Sequence, residues 1–386
     1  MKTSSGSPIE QSVYQSMTPP LFISRLIEKR PLTFYSSHDL SILRDGSTPP
    51  SKEWKMVGSE EEGEVLSLRE YLSYDEMAIS SLISTCTPTF FINNGSRENS
   101  GVPSTNTQGF GYYFGMVGAR FEIKNLMEAQ HCLIQKEYNN PENGYGPDAD
   151  PNHPKTKLLR LWSKFYGKES FPCYSSVTSS DEYYLHQPNK YVTPIFLNRD
   201  VYKMRLKRSI RPFLMDIESI MQADHAGKKA FVVVTGLGLS SWGLSPAIQS
   251  KWQVDAYGEL LGIKPEGEGE GEGIILSGIS DICFTYFKGV EDCCGIKDGQ
   301  VFHSKSGNEI AIHFSNRNPA DPLTGSHEGK ILFANYSWDG NAFPGNEYWK
   351  GAIGASGDPA AACCSTIPEL QNPIINPSFP KRLKIF

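Results

Sequence analysis

Residues 230–235, Ala-Phe-Val-Val-Val-Thr, hold four consecutive β-branched side chains and no charged group. A run this short and apolar on both faces fits a strand covered above and below, and strands of that kind belong to parallel sheets flanked by helices. Similar runs recur at 274–276, 282–287, 309–314 and 331–333. Segments with helical spacing separate the apolar runs, so the predicted fold class is α/β.

Upstream, residues 89–97 read as a strand running into a polar turn and 111–121 as a second strand. Helices are predicted over 127–138, 158–166 and 201–221, the last with Pro212 as a kink, and 139–155 form a loop of Asn, Pro, Gly and Asp. A final helix spans 360–370, entered through Ser356-Gly357-Asp358-Pro359. Residues 1–65 are rich in Ser, Pro and charge and are expected to form a mostly flexible arm with one short helix near 21–29. Order is expected from a helix start at 66–71. The ordered part then divides into an elaboration at about 66–225 and a core at about 226–386. The Glu-Gly repeat at 266–273 reads as a surface insertion without chemistry.

Net charge of −6 excludes a nucleic-acid scaffold, which needs clustered Lys and Arg to neutralise phosphates. The basic run from Lys203 to Arg211 reads as a solvated helix face. The eight cysteines include two adjacent pairs, Cys293-Cys294 and Cys363-Cys364, but no Cys-x-x-Cys. They read as reduced thiols of a cytosolic protein, and no metal or cofactor is expected. No signal-peptide core and no membrane-spanning apolar stretch occurs. Export into a host cytosol without a cleaved signal would leave no mark in this pattern.

Two glycine-bearing loops follow apolar runs. Gly236-Leu237-Gly238-Leu239-Ser240-Ser241-Trp242 leaves the 230–235 strand and fits a diphosphate cradle, in which exposed backbone N–H groups hold phosphate oxygens. It is not the dinucleotide fingerprint, because Ser241 stands where the third glycine belongs. Asp255 stands near the place of a ribose-binding acid, so a Rossmann-type NAD-dependent oxidoreductase stays open as an alternative. The second loop, 338–349, combines Asp339 and Glu347 with amides and aromatics. Cleaving a glycosidic bond needs an acid or base beside the anomeric carbon and negative charge near an oxocarbenium-like centre, and these two carboxylates supply both. Read otherwise, Asp339 caps a turn and Glu347 pairs with Lys350. Asn335 and Asn341 offer amides for sugar hydroxyls, while Asn93, Asn94 and Arg97 could add a second wall or simply form a turn. Asp358 reads as a helix cap, as a ligand contact, or as both.

Taken together, 89–97, 116–122, 236–242, 338–349 and 356–362 resemble the atypical macrodomain ADP-ribosyl hydrolases of bacterial effectors, the MavL-like group that removes ADP-ribose from arginine. The resemblance covers roughly 85–377 and is most specific from Asp339 to Trp349. It implies a macrodomain-like mixed sheet flanked by helices, with ADP-ribose across the strand ends and ADP-ribosylated protein as substrate. The Gly-Gly-Gly run of ordinary macrodomains is absent after Asn335 and the two loops come in reverse chain order, so only acidic catalysis in the Asp339 loop carries over. On this reading Gly236, Gly238, Ser240 and Ser241 hold the diphosphate and Trp242 covers the ligand. Asp339 and Glu347 face the distal ribose and the guanidinium leaving group. A module that binds ADP-ribose without cleaving it remains the alternative from another class.

Overall fold

The computed structural model describes residues 6–36, 38–122, 130–190, 192–263, 273–354 and 356–384. The chain begins with helices α1 (Pro8–Tyr14) and α2 (Pro19–Glu28), a hairpin of β1 (Thr33–Tyr35) and β2 (Leu40–Ile42), and α3 (Tyr74–Ser80). This stretch differs from the loose arm expected. Leu26, Phe34, Leu43, Trp54, Leu66 and Leu72 close a buried cluster, and capping boxes at Ser7/Glu10 and Ser73/Glu76 start α1 and α3. Arg25 is buried on Glu76, with Nε 2.7 Å from its carboxylate. The high polar content hid a core whose apolar residues are spread thinly over about seventy positions. The helix expected at 66–71 begins instead at Tyr74, where the second capping box sets it.

The central sheet has seven strands. In chain order the first two are β3 (Thr85–Phe90) and β4 (Phe110–Met116). A small side sheet follows, built from β5 (Leu133–Ile134), β6 (Tyr183–His186) and β7 (Ile195–Asn198), with α4 (Pro154–Phe165) packed nearby. Then come α5 (Arg199–Asp224), β8 (Ala230–Thr235), α6 (Pro246–Leu261) and β9 (Ile279–Thr285). A short hairpin, β10 (Asp292–Cys293) with β11 (Ile296–Lys297), precedes β12 (Val301–His303), β13 (Glu309–Ser315) and β14 (Ile331–Ser337). The chain closes with α7 (Gly357–Cys364) and α8 (Ile367–Leu370).

The sheet order is β12-β13-β9-β8-β14-β4-β3. The five inner strands are parallel, and antiparallel β12 and β3 close the edges. Side chains alternate between two cores. Val232, Val234, Ile282, Phe284 and Phe333 face α5 and α6, while Phe231, Val233, Cys283, Leu332 and Ala334 face the layer containing α7. Parallel β8 and β14 are therefore neighbours whose onward chains leave to opposite faces. In open α/β sheets, ligand crevices form beyond the carboxyl ends of strands related in this way.

Several local expectations change. The described part of 127–138 holds a 3-10 turn at Gln130–Cys132 and then β5, not a helix, and 123–126 with 127–129 lie outside the described residues. Residues 274–276 belong to no strand, with Ile274 N–H bonded to Leu260 O at 2.8 Å, and Leu276 is fully buried. The helix expected over 360–370 is split by an extended Ser365. Pro212 sits inside α5, which continues through it. Apart from Gly273, the Glu-Gly repeat lies outside the described residues. The basic run is only partly solvated: Lys203 and Lys207 pair with Glu259, and Arg205 is fully buried. No described helix is long and apolar enough to cross a membrane.

Candidate active site

Three segments leave the carboxyl ends of β4, β8 and β14 and pack on one another. The segment after β4, residues 117–122, runs between the other two. Trp338 N–H donates to Met116 O at 2.9 Å, and Phe121 N–H donates to Trp242 O at 3.1 Å. Two glycines permit this closeness. A Cβ on Gly118 would stand 2.3 Å from Gly238 N, and one on Gly340 would stand 2.3 Å from Val117 Cγ2. The loops predicted to hold diphosphate and ribose are thus brought together, with a third strand end wedged between them.

The loop after β8 is held from below by amides. Asn335 Oδ1 accepts from Thr235 N–H at 2.6 Å, and Gln253 Oε1 accepts from Leu237 N–H at 3.1 Å. Gln249 Oε1 accepts from the N–H groups of Leu244 and Ser245 at 2.8 and 2.7 Å. Gly238 has φ of +65°, a left-handed conformation that favours glycine. Ser240 and Ser241 are exposed at the rim, with Trp242 half-buried beside them. The helix α6 starts only at Pro246, so no helix follows Gly238 directly as an NAD-binding turn requires. Asp255 lies within α6, paired with Lys251 Nζ at 2.6 Å.

The loop after β14 carries the acids. Asp339 is half-buried, and its Oδ2 accepts from Asn346 Nδ2 at 2.6 Å. Burial pushes its carboxyl up to about 7, helped by the negative charge of Glu347 and opposed by the Asn346 hydrogen bond and the Arg120 guanidinium. Glu347 opens a 3-10 turn and is also half-buried. Lys350 lies over the Tyr35 ring at 3.9 Å, and among the described residues no ion pair joins it to Glu347.

Arg120 is 1% exposed and organises the wall opposite Asp339. Its Nε donates to Glu122 at 3.0 Å and an Nη donates to Ser36 O at 2.8 Å. The guanidinium sits 5.4 Å from the Trp242 ring and 5.6 Å from that of Phe34, with Asp39 3.6 Å away. Asn346 ties the same N-terminal segment to the acidic loop, because its Oδ1 accepts from Phe34 N–H at 2.6 Å. The N-terminal hairpin is therefore part of the site. Neither Arg120, Asn346 nor Asp39 stood out in the sequence, since Arg120 to Ser36, Asn346 to Phe34 and Asp39 to Arg120 are contacts between residues tens to hundreds of positions apart.

Other expected residues have different places. Asp358 is buried, and its two oxygens accept from the N–H groups of Gly345 and Asn346 at 2.9 and 2.7 Å, so it anchors the acidic loop instead of capping α7. Asn335 is likewise fully buried as a tie between β14 and β8, and Asn341 is buried within its loop. Asn93, Asn94 and Arg97 follow β3, which runs antiparallel to β4, and so lie at the opposite end of the strands from Asp339. There Asn93 bonds Cys363 O and Gly95 N–H, Asn94 bonds Asp321, and Arg97 is exposed. The structure does not bring these three together with Asp339.

The chain matches the family described as ADP-ribosylhydrolase MavL-like over residues 1–385. It is similar to ADP-ribosylarginine hydrolase CG2909 of Drosophila melanogaster, with 32% identity over 386 residues, 97% of this chain and 72% of that protein. It is also similar to ADP-ribosylarginine hydrolase CG3568 of the same organism, with 34% identity over 388 residues and the same two shares.

Proposed function

Because the chain belongs to the MavL-like ADP-ribosylhydrolase family, we propose that it hydrolyses the N-glycosidic bond joining ADP-ribose to arginine side chains of proteins, with Asp339 as general base. The observation that carries this assignment of roles is a carboxyl pushed up to about 7, half-buried at a strand end, beside a glycine loop on the neighbouring strand. A base titrating there is strong enough to take a proton from water and is about half ionised at neutral pH.

The diphosphate lies along the Gly236–Ser241 backbone, and Trp242 covers the ligand beside the Arg120 wall. The ribose then projects over the acidic loop. Asp339 removes a proton from water as its oxygen bonds the anomeric carbon. The C–N bond breaks with its electron pair going to the guanidine nitrogen, which takes the proton and leaves as a guanidinium. Glu347, as an anion, holds that cationic leaving group. Burial of the acids from bulk water strengthens both effects. A parallel sheet with antiparallel edges, helices on both faces and two ligand loops on adjacent strands supports a macrodomain-like reading of the fold. Eight free thiols support a cytosolic site of action.

The test is release of ADP-ribose from an arginine-ADP-ribosylated protein, followed by mass. Wild type releases it, while Asp339→Asn binds ADP-ribose and releases little or none. Binding without release by the wild type, on arginine, acidic and serine linkages alike, would make the protein a reader of the modification.

A further inference from the structure

At the other end of the sheet, Asp281, His313 and His327 gather side chains that the reaction does not use. Asp281 lies on β9 opposite Ala311 of β13, and His313, two residues on, shares its face. His327 comes from the 3-10 turn Gly325–His327 that leads towards β14. We infer that these three residues form a binding site for a divalent transition-metal cation of the zinc class.

The distances suit such an ion. Asp281 Oδ1 is 3.0 Å from His313 Nε2 and 3.4 Å from His327 Nδ1, and the three ligand atoms all lie within 4.8 Å of one another. Around tetrahedral zinc, with bonds of about 2.0–2.1 Å, neighbouring ligand atoms stand roughly 3.3 Å apart. Two imidazoles and one carboxylate select zinc, cobalt or nickel over magnesium or calcium, which prefer oxygen alone. The carboxylate is also oriented from outside, since Ser280 Oγ donates to Asp281 Oδ2 at 2.6 Å. The Phe231 ring packs against both imidazoles, with centroids 5.9 and 4.8 Å away. Asp281 is buried while the histidines are about a quarter exposed, leaving an open side for a fourth ligand. Lys330 Nζ, 2.5 Å from Asp281 Oδ2 and 3.3 Å from His327 Nδ1, places one cation in the cluster. Its side chain is 21% exposed, so it can swing to solvent when a metal enters. The ion would clamp β9, β13 and the segment before β14.

Cobalt(II) titration of the full-length chain, followed by optical absorption, tests the site. One equivalent should bind with the visible bands of tetrahedral nitrogen and oxygen coordination and without thiolate-to-cobalt charge transfer. His313→Gln and His327→Gln should each weaken binding by at least about 100-fold, beyond the roughly tenfold loss expected for Ser280→Ala. Lys330→Met should tighten it. Circular dichroism on each variant checks the fold, and zinc should raise the melting temperature of wild type but not of His327→Gln. Absence of stoichiometric binding, charge transfer from cysteine thiolates, or binding that both histidine variants retain would overturn the proposal and leave an ion pair closed by Lys330.

Discussion

Replacing Asp339 with Asn should cost activity and increase stability, and the second effect should depend on pH. In the fold this carboxyl titrates near 7, against an ordinary value of 3.8. Below about pH 3.8 the side chain is protonated whether folded or not, and the folded state carries no penalty. As pH rises to about 7, the unfolded chain ionises freely while the folded one resists, so stability is lost across that window. A gap of about 3 units corresponds to roughly 4 kcal/mol. Asp339 keeps some contact with solvent, which brings the expected penalty to about 2–4 kcal/mol at pH 8.5. A carboxamide has the same shape, keeps an oxygen for the Asn346 hydrogen bond and carries no charge. Urea unfolding of Asp339→Asn should therefore show that gain at about pH 8.5, shrinking towards zero by about pH 4. Hydrolysis should fall by about 10²–10⁴-fold, the loss expected when one acid–base group is removed. A variant less stable than wild type at pH 8.5, or a difference equal at both pH values, would refute a buried, neutral-prone carboxyl here.

Arg120→Gln removes the positive charge that holds the Asp339 carboxyl down, so the acid limb of kcat/KM against pH should move to higher pH; an unmoved limb would separate the two residues. Gly118→Ala drives a Cβ into the Gly238 backbone and should destabilise the fold by about 1–3 kcal/mol while weakening ADP-ribose binding, measured by urea unfolding and calorimetry. Asp358→Ala strands the N–H groups of Gly345 and Asn346 in a buried setting, at a cost of about 2–4 kcal/mol by urea unfolding, and should reduce hydrolysis through the misplaced loop.

The architecture was legible where apolar runs were dense. Strands β8, β9, β13 and β14 announce themselves because parallel strands are apolar on both faces, and α5 follows from its helical spacing, whereas α6 was not legible behind Trp242, Gly243 and Pro246. The N-terminal unit was not, because its core is assembled from single residues such as Trp54 and Leu66 between Ser, Pro and Glu. The two loops proposed to hold ligand were picked out by glycine and acid placement. What sequence could not supply was the pairing: Asn346 reaches back to Phe34, and Arg120 to Ser36, through contacts set only by the packed chain. Asn93 and Asn94 misled for a related reason, since a polar turn after a strand looks alike at either end of a sheet, and only the antiparallel direction of β3 assigns the end.

The proposed chemistry requires two loops from neighbouring strands to hold one ligand. A crystal structure of Asp339→Asn with ADP-ribose is the direct measurement. The pyrophosphate should lie on the amides between Gly236 and Ser241, with the anomeric carbon of the distal ribose facing residue 339 and Glu347. A ligand seated elsewhere, or one whose distal ribose points away from that loop, would contradict it.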